Sequence, residues 1–419
     1  MKRLLLLILI VSYTTISYAQ KEANYWYFGN KAGLDFATGN PLPVAGSQLN
    51  TLEGCSSFSD VDGNLLFYVG APTQTAKNLT VWNKNNQPMP YCDTLNGGVS
   101  LLGDASSSQS ALTIPDPANP NRYYLFTVGA NSSGNAGFWY YTIDMTADGG
   151  LGDIIAGPID LSNGNSNNWS EKITAVRGFD CNTFWVISLE RNNFYAYKVS
   201  ASGVDIAGVV TSNVPSFPNG NERRGYMKVS PAGNKLAVAK MNNGAYLLDF
   251  DTTTGVVSNS VTIDTGGQDP YGVEFSRSSN ILYVSTGQYS NAWERLYQYD
   301  LTQSDIASIN ASRYLVHQDY NSRGAIQLGP DSKIYWTRNG KSNLSVINDP
   351  EVLGNGCNYS NESVNLGTGL GSQGLPPFIS SLLAPVDIQD NDNSTIVNNN
   401  TIDICAGSTK SWSPTVVVG

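Results

Sequence analysis

Short apolar and aromatic segments recur along the chain, separated by turns rich in Gly, Asn, Asp and Ser. A short apolar strand leads through such a turn into an aromatic strand, and a third strand of alternating polarity follows. The first two strands and their turn recur in six segments: residues 55–69, 110–128, 173–188, 227–240, 272–285 and 325–338. The third strands are predicted at residues 79–83, 138–143, 194–199, 245–250, 295–300 and 344–349. Repeats of this kind are typical of β-propeller blades.

Two unmatched pieces lie at the ends of this array. Residues 25–29 and 33–38 have the pattern of a second and a third strand without a first, and residues 377–382 that of a first strand without followers. Joined, they make a seventh unit in which N-terminal and C-terminal strands share one blade. Closing the ring in this way removes exposed strand edges. The sequence therefore predicts an all-β fold, a seven-bladed β-propeller over residues 20–385.

The segments outside the propeller have other patterns. Residues 1–19 join a basic start to a short apolar run and small residues, which predicts a signal peptide cleaved before Gln20. Residues 386–401 are rich in Asn and Asp and are predicted to be a linker. Residues 402–419 resemble the first strands of an immunoglobulin-like or PKD-like sandwich. Because so short a segment cannot bury a core, we expect that module to be truncated, with further domains missing after Gly419.

Composition and charge exclude several classes of protein. Only 14% of residues are charged, 11% are aromatic, and there is a single His. The formal net charge of −10, with no basic stripe, argues against nucleic-acid binding and against adhesion to an anionic membrane. No segment after the signal peptide reaches the roughly 20 apolar residues of a spanning helix. We therefore expect an exported, soluble protein that is extracellular or on the outer cell surface.

Several sequence blocks resemble a known family. The blocks are NYWYFGNKAGLDFATG, LNTLEGCSSFSDVDGNLLFY, YMKVSPAGNKLAVA and QGLPPFISS, and the similarity runs from about Asn24 to Ser381. They are similar to the N-terminal propeller of secreted Bacteroidetes proteins that end in gliding-motility-associated, type IX secretion sorting domains. The resemblance implies the propeller fold, a surface role such as adhesion, and the secretion machinery as a partner through a C-terminal domain missing here. It implies no catalytic residues.

One residue before each predicted first strand should border the central channel, and together these form a candidate binding ring. The seven residues are Glu53, Gln109, Lys172, Arg224, Asp269, Arg323 and Gln373. Acids and bases both occur, so the side chains either neutralise one another or line a shallow polar pocket for a sugar or a peptide end. Three cations in the ring oppose a divalent metal.

Aromatic residues in the long loops form the second candidate site. Tyr91, Trp169, Tyr289 and Trp293 lie in connections that a propeller places on one face. If exposed, they would stack on sugar rings or anchor a protein partner; the alternative is that they pack on blade edges.

Catalytic patterns are weak in this sequence. His317, the single His, could act in a Ser–His–acid arrangement, but the sequence has no GxSxG nucleophile elbow. The carboxylates at strand entrances could form a glycosidase pair, but we expect them to be solvated or paired across the channel: Glu53, Glu171 and Asp269. The segment from Asp60 to Asn64 has the wrong spacing for a calcium loop and is predicted to be a turn. No cofactor and no metal site are predicted.

The five cysteines are too sparse for a disulfide scaffold. Cys55 and Cys92 flank the first blade and are the pair that could form a disulfide. Taken together, the sequence predicts a secreted or cell-surface binding or scaffold protein that engages glycan or protein through its long-loop face. The alternative is an extracellular carbohydrate-active or lactonase-like propeller enzyme.

Overall fold

The computed structural model describes residues 21–384 except 131–135, 163–165, 181 and 289–291. These residues form seven separate antiparallel sheets, so the predicted seven-bladed β-propeller is confirmed. The predicted signal peptide, linker and immunoglobulin-like module fall outside the described residues, as do Tyr289, Cys181 and Cys405. No helix among the described residues is long and apolar enough to cross a membrane.

The first two sheets along the chain have three strands each. The N-terminal sheet, which we call blade 7, contains β1 (Tyr25–Phe28), β2 (Ala32–Asp35) and β3 (Leu42–Pro43). Blade 1 contains β4 (Ser56–Ser59), β5 (Leu65–Gly70) and β6 (Thr80–Asn83).

The remaining five sheets have four strands each. Blade 2 contains β7 (Ala111–Asp116), β8 (Asn119–Val128), β9 (Phe138–Asp144) and β10 (Asp153–Asp160). Blade 3 contains β11 (Thr174–Arg177), β12 (Phe184–Glu190), β13 (Asn193–Ser200) and β14 (Gly203–Asn213). Blade 4 contains β15 (Met227–Val229), β16 (Lys235–Lys240), β17 (Gly244–Phe250) and β18 (Val257–Ile263).

Blades 5 and 6 complete the set. Blade 5 contains β19 (Pro270–Phe275), β20 (Ile281–Thr286), β21 (Ala292–Asp300) and β22 (Tyr314–Asn321). Blade 6 contains β23 (Ile326–Leu328), β24 (Ile334–Trp336), β25 (Asn343–Ile347) and β26 (Tyr359–Asn365). The one α-helix among the described residues is α1 (Ile306–Ala311), between β21 and β22, and its N-terminus is capped by Asp305.

The two faces of the ring follow from the alternating direction of the strands. First strands begin, second strands end and third strands begin on one face, which also receives the connections between blades. We call this the loop face and the opposite one the far face. The core lies between neighbouring sheets, where apolar and aromatic side chains interdigitate. At the junction of blades 6 and 7, for example, Trp26 packs on Phe36 and Tyr335, with ring centroids 4.9 and 5.5 Å away.

The ring closes at blade 7, but not by a C-terminal strand. Residues 377–382 were expected to pair as a first strand; instead the chain is extended to Ile379 and then forms a 3₁₀ helix (Ser380–Leu383). Two consecutive prolines, Pro376 and Pro377, have no N–H groups to donate to a ladder, which accounts for the difference. Phe378 still packs on Trp26, with centroids 5.8 Å apart, so the segment takes the predicted place without pairing.

Backbone hydrogen bonds at the loop-face end of the channel join one blade to the next. Gln373 belongs to this series and links blade 6 to blade 1 across the closure. The bonds run from Gly54 to Ala105 (3.1 Å), Gln109 to Glu171 (3.1 Å), Glu171 to Arg223 (3.2 Å), Tyr226 to Tyr271 (2.7 Å), Ala325 to Gln373 (2.9 Å) and Gln373 to Leu52 (2.8 Å).

Candidate functional site

The channel mouth contains a buried ion pair between blades 1 and 5–6. Nη2 of Arg323 lies 2.7 Å from Oε1 of Glu53, and both side chains are almost wholly buried. Glu53 also accepts from Tyr271 Oη (2.9 Å) and Ser106 Oγ (3.3 Å). The Arg323 guanidinium lies 4.8 Å from the Tyr271 ring centroid and donates through Nε to Gln373 Oε1 (3.0 Å). Three of the predicted ring residues thus meet in one neutralised network.

The other ring residues have different surroundings. Gln109 is buried and bonds the backbone of Met227 through both ends of its amide. Lys172 is buried, and its ammonium donates to the carbonyl oxygens of Arg223 and Arg224. Burial lowers the pKa of Lys172 to about 7, although Glu171 opposes that shift. Asp269 is half-buried and accepts from Gln288 at 3.3 Å.

Arg224 is the ring residue with the most exposed cationic side chain. It binds Glu222 with two hydrogen bonds, Nε to Oε1 at 2.8 Å and Nη2 to Oε2 at 2.6 Å. This two-point geometry raises the pKa of Arg224, with the Glu222 hydrogen bond as the main cause.

A second buried ion pair lies deeper in the channel. Nζ of Lys228 is 3.2 Å from Oε2 of Glu274 and also bonds the Gln327 side chain. Glu274 accepts from the Leu328 backbone at 3.0 Å. Burial lowers the pKa of Lys228, opposed by the charge of Glu274. The space that these residues enclose with Phe378 and Leu383 does not admit a water molecule.

The channel is therefore filled by its own residues. Leu375 bonds the hydroxyl of Tyr226, and Ser381 Oγ accepts from the backbone of Arg177 (3.0 Å). The C-terminal segment thus runs along the axis to the far face. Among the described residues, the mouth carboxylates of Glu53 and Glu171 already accept from partners in the chain.

The loop aromatics are not alike. Trp169 is fully buried: its Nε1 donates to Ser188 Oγ at 2.7 Å, and it packs on Tyr195. For Trp169 the structure shows the packing alternative, because the connection before blade 3 pairs back onto β12 through a bridge to Glu190. Tyr91 is half-buried against Tyr141 at the edge of blade 2.

Trp293 is exposed and has an aromatic neighbour. It is 55% exposed at the start of β21, and Tyr320, directly opposite on β22, is 60% exposed. Their ring centroids are 6.0 Å apart at an interplanar angle of 81°. Two large exposed rings on paired strands form a rigid apolar surface beside the loop face. We call Trp293 and Tyr320 the aromatic pair.

The opposite side of the same strands holds a cluster that the sequence analysis did not find. Glu294 and Asp319 are cross-strand partners, and Nη2 of Arg338 from blade 6 lies 3.1 Å from Glu294 Oε1 and 2.8 Å from Asp319 Oδ2. Burial raises the pKa of Glu294 to about 8, against the lowering effect of Arg338. Recognising β22 as a strand would have paired the two acids, but this strand is polar and largely exposed.

His317 belongs to this neighbourhood. It lies on β22 and stacks on Tyr359 of blade 6, with ring centroids 4.6 Å apart. Burial lowers its pKa, with a further lowering by Arg338. Its Nε2 has no hydrogen-bond partner among the described residues.

The described residues contain no group of three or more His, Cys, Asp or Glu side chains able to hold a metal ion. Asp60 accepts from the backbones of Asp62 and Asn64, which is an ordinary turn. Cys55 and Cys92 are free, buried thiols in different core clusters, so the suggested disulfide is not formed.

Comparisons with known proteins report the fold only. No family model and no curated protein matches the chain. A putative 6-phosphogluconolactonase from Bacteroides uniformis is 10% identical, covering 83% of this chain and 98% of its own, at a TM-score of 0.49. A Lactobacillus plantarum protein is 14% identical, covering 84% and 98%, at 0.48. The Cps50 (Swd1) β-propeller domain of Myceliophteria thermophila is 10% identical, covering 77% and 93%, at 0.42. At such similarity these names carry no function to this chain.

Proposed function

We propose that this chain is a non-catalytic binding or scaffold propeller that engages a glycan or a protein partner through its loop face, on or outside the cell surface. The export of the chain is inferred from residues 1–19. The observation that carries the proposal is the aromatic pair, because large exposed rings held on paired strands are the usual anchors for sugar rings and protein partners.

The filled channel supports the same conclusion. Many ligands of concave folds bind in an open cavity, but here the axis is occupied by two buried ion pairs and the C-terminal segment. The loop face carries exposed rings that are held on paired strands. A closed ring keeps such groups in place while the loops vary in sequence.

An array of glycans and cell-surface proteins tests the proposal with the full chain. We expect measurable binding that falls at least about tenfold in the double variant Trp293→Ala/Tyr320→Ala, since each ring is a candidate anchor. Phe179→Ala is the matched control, because Phe179 is 66% exposed but lies in the β11–β12 turn on the far face. Equal loss in the control, or unchanged binding in the double variant, would contradict the proposal.

One observation favours the enzymatic alternative. The pKa of Glu294 is raised to about 8, mainly by burial, whereas that of Asp319 is lowered, since its hydrogen bonds and Arg338 outweigh the effect of burial. Carboxylates shifted in opposite directions are a pattern of acid–base pairs. Glu294 is wholly buried, so substrate contact would depend on Asp319. Turnover in a broad glycosidase and lactonase screen that disappears in Asp319→Asn would favour this alternative.

A further inference from the structure

Cationic side chains gather on one sector of the loop face, where blades 3 and 4 meet. They come from the start of β11, the β12–β13 turn, the connection from β14 to β15, and the end of β16. The five residues are Lys172, Arg191, Arg223, Arg224 and Lys240. We call them the basic sector. In a chain with a formal net charge of −10, such a concentration of positive charge requires an explanation.

Nearby acids neutralise only part of this charge. Glu222 is engaged by Arg224 and also accepts from Asn242 at 3.0 Å. Glu190 approaches Arg191 only at 3.5 Å. Glu171 accepts from the backbone N–H and the hydroxyl of Ser108, at 3.2 and 3.1 Å. With Lys172 left out because its pKa is about 7, the other four cations still outnumber these three acids, and the adjoining Arg323 is already paired with Glu53.

The guanidinium of Arg223 is the group of the basic sector that lacks an acceptor. Among the described residues it makes no hydrogen bond and no ion pair, and its Nε is buried. Nε of Arg191 is also buried without a hydrogen bond, with Glu190 Oε1 at 3.5 Å. Arg122, Arg177 and Arg338 likewise have a buried Nε without a hydrogen bond, so this feature alone does not mark a site. In the basic sector it coincides with excess positive charge, and an acceptor from outside the chain would satisfy both.

The titration behaviour of the cations points the same way. Burial lowers the pKa of Arg223, and the neighbouring charge of Arg191 lowers it further, against the raising effect of Glu171 and Glu222. Burial also lowers the pKa of Lys240 to about 8. Burial thus disfavours the cationic forms of these side chains, and a bound anion would stabilise them.

We propose that the basic sector binds an oxyanion, a carboxylate or sulfate group carried by an acidic glycan, with Arg223 and Arg191 as the principal ligands. A planar guanidinium matches either group with two parallel hydrogen bonds. Two neighbouring side chains hold the backbone at this place. Arg224 does so through its hydrogen bond to Glu222. Lys172 does so by donating to the carbonyl oxygens of Arg223 and Arg224. This inference rests on the proposed loop-face function and names the ligand class for a sector away from the aromatic pair.

Calorimetric titration of the full chain tests it with three probes of equal length: an oligogalacturonate, its neutral methyl ester, and a sulfated oligosaccharide. We expect one or both acidic probes to bind and the ester to bind at least about tenfold more weakly, because the ester cannot make charge-assisted hydrogen bonds to a guanidinium. The acidic probe that binds identifies the natural group. Binding should weaken as salt is raised.

Variants separate recognition from folding. Arg223→Gln should weaken the acidic probe about tenfold, and Arg223→Lys should recover part of the loss by restoring the charge without the fork. Arg122→Gln is the matched control, since Arg122 of blade 2 also has a buried Nε without a hydrogen bond but lies outside the basic sector, 3.9 Å from Asp116 and Asp144. Circular dichroism and the melting temperature establish that each variant is folded.

The outcomes discriminate between the two proposals. Equal binding of ester and acid, or unchanged binding in a folded Arg223→Gln, overturns the anion site. If the anion site is overturned but the aromatic-pair variant still abolishes binding of some ligand, the proposed loop-face function stands without the anion site. Failure of every probe and every array ligand overturns both. Should Arg223→Gln fail to fold, Arg191→Gln takes its place with the same expected loss.

Discussion

Two arginine–glutamate pairs in this molecule are equally buried but differently supported. In the channel, Arg323 and Glu53 are surrounded by Tyr271, Ser106 and Gln373, which complete their hydrogen bonds. Between blades 5 and 6, Arg338 lies 3.1 Å from Glu294, yet neither oxygen of Glu294 accepts a hydrogen bond from the described residues.

The difference shows what a buried ion pair needs. A carboxylate removed from water keeps its charge only when hydrogen bonds and a cation replace its hydration. Glu294 lacks the hydrogen bonds, and burial accordingly raises its pKa to about 8, so its carboxyl group is mostly protonated at neutral pH. Arg338 then has Asp319 as its charged partner, at 2.8 Å. Proximity alone therefore does not make the second pair an ion pair.

The largest effect is expected from breaking the channel pair. Arg323→Gln leaves the Glu53 carboxylate buried without its cation, and we expect the free energy of unfolding to fall by about 3–5 kcal/mol. Urea denaturation measures the change. The double variant Glu53→Gln/Arg323→Gln is the control and should recover much of the loss. A loss below 1 kcal/mol in the single variant would mean that the hydrogen bonds, not the charges, hold this site together.

A smaller effect is expected at Glu294, and it depends on pH. Because the folded-state pKa is raised from 4.5 to about 8, the protonated carboxyl stabilises the fold fully below pH 4.5, and this stabilisation is lost as the pH rises through 8. Glu294→Gln should remove that dependence and raise the free energy of unfolding at pH 7 by about 1–3 kcal/mol, because a glutamine need not be protonated on folding. Denaturation curves from pH 5 to pH 9 measure it; an unchanged slope would contradict the assignment.

The smallest effect is expected at a long, partly exposed pair. Arg122 lies 3.9 Å from both Asp116 and Asp144; its own side chain is 37% exposed, whereas that of Asp116 is buried. Arg122→Gln should change the free energy of unfolding by about 0–1 kcal/mol, because solvent and salt screen such pairs. The same urea titration measures it. A loss as large as that of Arg323→Gln would show that burial does not decide the strength of these pairs.

The strands of each blade were predictable where burial leaves a clear pattern. β12 and β20 are buried throughout and β8 is buried over its last six residues; all three are rich in aromatic and β-branched residues, and the sequence predicts each of them. The sequence does not predict the outermost strands β14, β18 and β22, because most of their residues are exposed or half-buried and carry no hydrophobic alternation. The sequence repeat therefore predicts the inner strands of each blade but not its outermost strand.

The candidate sites were predictable only in part. The ring residues were expected at the channel mouth, and Glu53, Arg323 and Gln373 meet there through contacts between distant parts of the chain. The pairing of Glu294 with Arg338 and the missing acceptor of Arg223 depend on how neighbouring blades pack, and no sequence pattern encodes that.

Both ends of the described chain lie on the far face of the propeller. Ala23 precedes β1 beside the β4–β5 turn, where Asn24 approaches Gly63, and Ala384 accepts from Arg277 in the β19–β20 turn (3.2 Å). An attachment made through either terminus would therefore hold the propeller on its far face. The basic sector and the aromatic pair, on the loop face, would then face away from the point of attachment, toward the surrounding medium.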